Sequence, residues 1–114
     1  MTEHDSTSAK YIYIAGPYTI GDVVQNLRTA ISAANKLSAA GYVPFVPHLT
    51  HFWHFLYPHN IDFWYQYDLL WLEKCDCLIH LAGESKGADI EVHFAETHNI
   101  AVYNSIEEAI NNLK

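Results

Sequence analysis

Positive charge is scarce in this sequence. Its 114 residues include 6 lysine and arginine side chains against 13 aspartate and glutamate side chains, and the formal net charge is −7 at pH 7 with histidine neutral. Proteins bind nucleic acids mainly through lysine and arginine side chains that neutralise phosphates. We therefore expect no nucleic-acid polymer as a partner, and the expected ligand is a small molecule.

Long hydrophobic runs are also missing. A membrane-spanning helix needs about 18 or more consecutive apolar residues, and no segment approaches that length. The opening residues MTEHDSTSAK lack the charge pattern and the apolar segment of a signal peptide. These absences predict a cytoplasmic protein with no membrane partner.

Cysteine is rare, since Cys75 and Cys77 are the only two. Two residues apart on an extended segment, they are poorly placed to bridge each other or to share a metal ion. We predict that both are reduced and pack as small hydrophobic side chains.

The composition is that of one globular domain. Half of the residues are hydrophobic and 17% are charged, which is typical of a folded chain rather than a disordered one. A chain of this length has room for a single core. The predicted domain covers residues 10–114, whereas the polar residues 1–9 are expected to be disordered or frayed.

Hydrophobic periodicity predicts strands that alternate with helices. Strands are expected at residues 10–15, 42–46, 75–82 and 100–104, and helices at about 22–40, 62–74, 85–98 and from 105 onwards. The intervening residues 47–60 are predicted to form a loop. Right-handed crossovers place helices on both faces of such a sheet. The predicted fold is therefore a three-layer α/β/α arrangement around a small, mainly parallel sheet, Rossmann-like or flavodoxin-like.

Local signals refine these elements. Pro44 cannot donate to a strand ladder, which indicates an edge position or a strand end. Asp62 and Ser85 are predicted to cap the second and third helices. Ser105 with Glu108 three residues later has the pattern of a capping box at the last helix.

Two carboxylates flank the predicted strand 75–82. Glu91 lies in the first two turns of a helix, whose free N–H groups and partial positive charge favour the ionised side chain. Taken singly, Glu91 and Asp68 could each be ordinary solvated residues. Nearby Ser85 and Gly87 could hold an anion or a sugar hydroxyl, and Gly16 permits close backbone approach. Because ligands bind beyond the carboxyl ends of parallel strands, these residues are expected at one rim.

Four short motifs in order carry a family resemblance. They are Tyr13-Ile-Ala-Gly-Pro17, Asp68-Leu69, Cys75-Asp76 and Ser85-x-Gly-x-x-x-Glu91. Over about residues 11–104 the sequence resembles the nucleoside 2-deoxyribosyltransferase family and its relatives, the 2′-deoxynucleoside 5′-monophosphate N-glycosidases.

The resemblance implies catalytic roles for Glu91, Asp68 and Tyr13. Glu91 would attack C1′ of the sugar and form a glycosyl ester, and Asp68 would transfer a proton or orient the substrate. Tyr13 matches a tyrosine near the nucleophile. Ser85 matches a serine that contacts the 5′-phosphate in the nucleotide-cleaving branch. The resemblance also implies a homodimer or a higher homo-oligomer, and no cofactor is expected.

The substrate remains open at this point. The first loop, Pro17-Tyr-Thr19, resembles the nucleoside-acting branch, whereas Ser85 resembles the nucleotide-cleaving one. Water and a second nucleobase are both possible acceptors, and a non-catalytic sensor of a nucleotide derivative is the alternative function. The residues predicted to bind the substrate are Gly16, Pro17, Tyr18, His48, Trp53, Ser85 and Gly87.

Histidines and aromatic side chains fill residues 47–67. His48, His51 and His54 have a spacing that could bind a metal on a helix, but no acidic or cysteine ligand accompanies them, and no metal site is predicted. A cavity wall, a proton donor and plain packing remain open for these histidines. The aromatic side chains could stack on a nucleobase or cover a subunit interface.

Overall fold

Four short strands form one parallel sheet with the order β2-β1-β3-β4. They are β1 (Tyr11–Ala15), β2 (Val43–Phe45), β3 (Cys77–His80) and β4 (Ala101–Tyr103). The computed structural model describes residues 10–113. The segment predicted to be frayed, residues 1–9, lies outside the described residues.

Helices connect the strands. They are α1 (Val23–Ala39), α2 (His51–Leu56), α3 (Ile61–Glu73), α4 (Lys86–Thr97) and α5 (Ile106–Leu113), and a 3-10 helix, Pro47–Thr50, precedes α2. No helix in residues 10–113 is long and apolar enough to cross a membrane.

Alternating side chains of β1 define the three layers, because successive residues of a strand point to opposite faces. Ile12 and Ile14 are fully buried in a cluster with side chains of α1 and α5. Tyr13 and Ala15 are fully buried in a second cluster with side chains of α3 and α4. The predicted α/β/α fold is confirmed, and the strand order is flavodoxin-like.

Local predictions are mostly confirmed. Pro44 lies in the edge strand β2. Ser85 caps α4 by accepting a hydrogen bond from the Ala88 N–H at 3.1 Å. The predicted cap of α3 at Asp62 is wrong, because the Asn60 side chain accepts from the Phe63 N–H at 3.0 Å and starts the helix two residues earlier. The side-chain amide oxygen of Asn60 thereby satisfies one of the free N–H groups at the start of the helix.

The predicted loop over residues 47–60 is wrong for residues 47–56 and confirmed only for residues 57–60. Pro47 opens the 3-10 helix, which continues into α2. Proline at the first position of a helix loses no hydrogen bond, and its fixed φ suits the helix. Pro47 was therefore a start signal rather than a break. Pro58 follows α2 and stands where its missing N–H costs the helix nothing.

Both cysteines are free, as predicted. Burial raises the pKa of the Cys75 thiol to about 12 and that of Cys77 to about 11. Cys75 lies just before β3 rather than in it. A thiol that stays protonated is a poor nucleophile, so packing is the role that the structure supports.

Candidate active site

A cavity of about 450 Å³ opens at the carboxyl ends of β1 and β3. Strand β2 lies on one side of β1 in the sheet and β3 lies on the other. The strand order therefore reverses at this point, and ligands bind at such points in parallel sheets. The loops after β1 and β3, the segment after β2, and helices α3 and α4 all contribute to the wall. Among the residues that the structure describes, no lysine or arginine lines this cavity.

Glu91 lies in the second turn of α4 and lines the cavity. Its side chain is only 8% exposed. The hydroxyl group of Tyr13, a fully buried residue of β1, donates a hydrogen bond to Glu91 Oε2. Burial, together with the negative charges of Glu91 and Asp68, raises the pKa of Tyr13 well above its usual value. Tyr13 is therefore a permanent donor that holds the Glu91 carboxyl group from beneath.

Asp68 lines the same cavity from α3. Its Oδ1 atom is buried and has no hydrogen-bond partner in the described part of the chain. Burial raises the pKa of Asp68 to about 7. An acid that nothing else stabilises in its ionised form keeps its proton near neutral pH.

The electrostatics of Glu91 differ from the sequence-based expectation. The start of α4 was expected to favour the ionised side chain, but burial raises the pKa of Glu91 to about 8. The Tyr13 hydrogen bond lowers this pKa, and the negative charge of Asp68 raises it. The helix dipole acts mainly within the first turn, whereas the lost hydration acts on the whole carboxyl group.

These shifts predict how stability depends on pH. The folded state holds its protons at Asp68 and Glu91 up to pH 7–8, whereas the ordinary pKa values are 3.8 and 4.5. The folded state thus binds more protons than the unfolded state over this interval, and the free energy of unfolding must fall as pH rises. Each unit of pKa shift corresponds to about 1.4 kcal/mol.

We expect Asp68→Asn to stabilise the protein by roughly 2 kcal/mol or more at pH 8, with a smaller effect at pH 4.5. Urea unfolding at the two pH values measures this difference. The matched control is Asp62→Asn, which changes an exposed aspartate of the same helix. Equal effects of Asp68→Asn at both pH values would contradict the burial of an uncompensated carboxyl group.

The structure brings most of the predicted substrate-binding residues to the cavity. Gly16, Tyr18, His48, Ser85 and Gly87 all line it. At Gly16 an added Cβ would lie 3.0 Å from the Leu81 Cβ, so the missing side chain makes room for the residue that directly follows β3.

Two predicted residues lie elsewhere. Pro17 does not line the cavity; its carbonyl oxygen lies 3.1 Å from His48 Nε2. Trp53 packs edge-on against Trp64, with ring centres 5.1 Å apart, and lies behind the wall rather than in it.

The three spaced histidines all line the cavity. Within residues 10–113 no group of three or more His, Cys, Asp or Glu side chains is arranged to hold a metal ion. Burial lowers the pKa of His48, although hydrogen bonds to the Pro17 and Gly16 backbone raise it. His48 is therefore neutral and a weak proton donor, with Nε2–H donating to Pro17.

Comparison with known proteins places the chain in a family. A family described as "Domain of unknown function (DUF7768)" matches residues 10–105. The chain belongs to this family. No curated protein matches the sequence. One similar solved structure is described as a 2-deoxyribosyltransferase from the psychrotolerant bacterium Bacillus psychrosaccharolyticus, with a TM-score of 0.63. The two chains are 19% identical over 81% of this chain and 69% of the other, which shows a shared fold.

In this member of the DUF7768 family, part of the wall lies outside the predicted substrate-binding residues, although Trp64 and Tyr65 belong to the aromatic cluster that was expected to stack on a base or cover an interface. Ile61, Trp64 and Tyr65 line the cavity together with Asp68. They precede Asp68 by seven, four and three residues, which places them on its face of α3. With Asp68 assigned to the site, this helical spacing predicts that the three residues line the same cavity.

Proposed function

We propose that this domain cleaves the N-glycosidic bond of a nucleoside or a nucleoside 5′-monophosphate through a covalent glycosyl ester on Glu91. The observation that carries the proposal is the shared cavity. Glu91 and Asp68 reach it from two different helices, and Tyr13 holds one of them. The fold shared with a 2-deoxyribosyltransferase is consistent with this activity.

Breaking this bond needs two carboxyl groups with different tasks. Positive charge builds on the sugar ring as the base departs, and a carboxylate beside C1′ stabilises that charge and can bond to the carbon. The base departs more readily when it receives a proton from an acid. We assign the first task to Glu91 and the second to Asp68.

The proposed reaction has two steps, formation and breakdown of the glycosyl ester. A Glu91 carboxylate oxygen bonds to C1′, the C1′–N bond breaks, and the Asp68 proton passes to the base. The Asp68 carboxylate then takes a proton from water or from an incoming base, which attacks C1′ and releases Glu91. Tyr13 does not line the cavity and acts as a positioning residue for Glu91.

In the active form, Glu91 and Asp68 together carry one proton. The pKa of Glu91, about 8, lies above that of Asp68, about 7, so burial favours a protonated Glu91. The two groups titrate as a pair. Positive charge developing at C1′ and the Tyr13 donor both favour ionised Glu91, and we place the remaining proton on Asp68 in the reacting complex.

We also propose that the domain forms a homo-oligomer. An exposed apolar patch, hereafter the α2 patch, consists of Phe52, Phe55, Leu56 and Tyr57, which are 66%, 78%, 74% and 69% exposed. Residues 47–61 contain no Asp, Glu, Lys or Arg. An uncharged face lets two copies of an acidic protein meet without direct repulsion.

A panel of nucleosides tests the proposed reaction. Deoxyribonucleosides, ribonucleosides and their 5′-monophosphates are incubated with the protein, with and without a second free base, and chromatography detects released or exchanged base. We expect release from at least one class. Within residues 10–113 no lysine or arginine lines the cavity, so a 5′-phosphate would bind through the start of α4 and uncharged donors. Binding without release across the whole panel would instead indicate a sensor.

A further inference from the structure

Two hydrogen-bond donors fix the ring orientation and the tautomer of His54. The Trp64 indole Nε1–H donates to His54 Nδ1 at 2.7 Å, and the backbone N–H of His59 donates to the same nitrogen at 3.2 Å. A nitrogen that accepts hydrogen bonds carries no proton, so the ring proton of His54 is on Nε2. His54 lines the cavity, and Nε2–H is the polar atom it retains for a ligand.

The wall that contains His54 is built from aromatic rings packed against one another. Trp64 lines the cavity beside it, with the two ring centres 5.7 Å apart. Trp53 and Tyr67 pack edge-on against Trp64 from behind, with ring centres 5.1 and 5.9 Å away. A base that contacts this wall therefore meets a donor whose position is already set, so little entropy is lost when the hydrogen bond forms.

The position of this wall relative to Asp68 indicates which part of a substrate it contacts. Trp64 and Asp68 are four residues apart on one face of α3, and such side chains are separated by about 5–6 Å. A base that receives its proton from Asp68 extends from there across the aromatic wall, because aromatic surfaces stack on bases. His54, which contacts Trp64 through the indole hydrogen bond, is then placed at the edge of the base away from the sugar.

We propose that His54 Nε2–H recognises a hydrogen-bond acceptor on the far edge of the nucleobase, either a ring nitrogen or a carbonyl oxygen. His54 is thus a specificity-determining residue, and this inference rests on the proposed function. A base without an acceptor at that edge would leave the His54 Nε2–H desolvated and without a hydrogen-bond partner. The site consequently selects bases that carry an acceptor at that edge.

Two substitutions separate the two nitrogens of His54. The asparagine amide oxygen can occupy the place of Nδ1, so His54→Asn keeps an acceptor for Trp64 and His59 but removes Nε2–H. The longer His54→Gln places its amide group near the position of Nε2 and gives up the acceptor at Nδ1. Thermal unfolding of both variants reports whether the wall is intact.

The test measures the binding of free bases by calorimetry, so it requires no turnover. The probes are adenine with its 1-deaza, 3-deaza and 7-deaza analogues, and uracil with 2-pyridone, which lacks the 4-carbonyl oxygen and has C–H in place of N3–H. For the wild type we expect one deletion of an acceptor to weaken binding by about 3- to 10-fold, the usual effect of one neutral hydrogen bond. In His54→Asn that same deletion should have no effect, whereas His54→Gln should retain part of the discrimination.

The outcomes distinguish this inference from the proposed reaction. Discrimination that persists unchanged in a folded His54→Asn variant overturns the inference, even if base release is observed. Absence of binding by every base in the wild type overturns it as well. Discrimination that depends on His54 without any base release supports recognition by His54 and overturns the catalytic proposal alone.

Discussion

Replacing Glu91 by glutamine is expected to reduce base release by about 10³-fold or more, because an amide cannot form the glycosyl ester. The fold should be retained, since glutamine has the same shape and its amide oxygen can accept the hydrogen bond from Tyr13. The neutral side chain also removes the cost of burying a charge. Steady-state rates from the nucleoside panel measure the effect, and thermal unfolding confirms the fold.

Glu96→Gln is the matched control for this variant. Glu96 lies on α4 as well, but it is exposed and is expected to have no role in the reaction. Full base release by a folded Glu91→Gln variant would exclude Glu91 as the nucleophile. Equal losses in both variants would point to a general effect on α4.

Asp68→Asn is expected to slow the release of ordinary bases by about 10²- to 10⁴-fold, which is the usual contribution of a general acid. The pH profile should change as well. In the wild type, kcat/KM should have a maximum between pH 7 and 8, since the pair then holds one proton. Activity falls below this range as Glu91 becomes protonated, and above it as Asp68 loses its proton.

The Asp68→Asn variant should lose the alkaline fall, because the group responsible for it is gone. A 7-methylpurine nucleoside supplies a second test, since its base is already cationic and departs without a proton. Base release from this substrate should be nearly independent of Asp68, while Asp62→Asn should resemble the wild type with every substrate. An equal loss with ordinary and methylated bases would show that Asp68 acts in positioning and not as an acid.

The sequence was sufficient for the fold because its signals were local and mutually consistent. The apolar run that contains β3, the helical periodicity of residues 22–40 and the cap at Ser85 each fixed an element that the structure contains. Together with right-handed crossovers they determined the layers. The segment after β2 was predicted to be a loop, although a proline such as Pro47 is also compatible with a helix start.

The site was less predictable because burial is a property of the whole fold. Sequence reasoning paired Glu91 with Asp68 and included Tyr13, and the structure places the three side chains together. It could not show that the cost of burial exceeds the effect of the α4 dipole at Glu91. It also chose Trp53 where Trp64 lines the cavity, because the direction in which α2 packs against α3 has no local signal.

Mass spectrometry of the peptide that contains Glu91 tests the central claim most directly. The Asp68→Asn variant is mixed with a 7-methylpurine nucleoside and quenched in acid after a single turnover. In this variant the first step needs no proton, and the second lacks a group to activate water, so the glycosyl ester should accumulate. The account predicts a Glu91 peptide heavier by one sugar residue. Stoichiometric release of base with that peptide unmodified would contradict it.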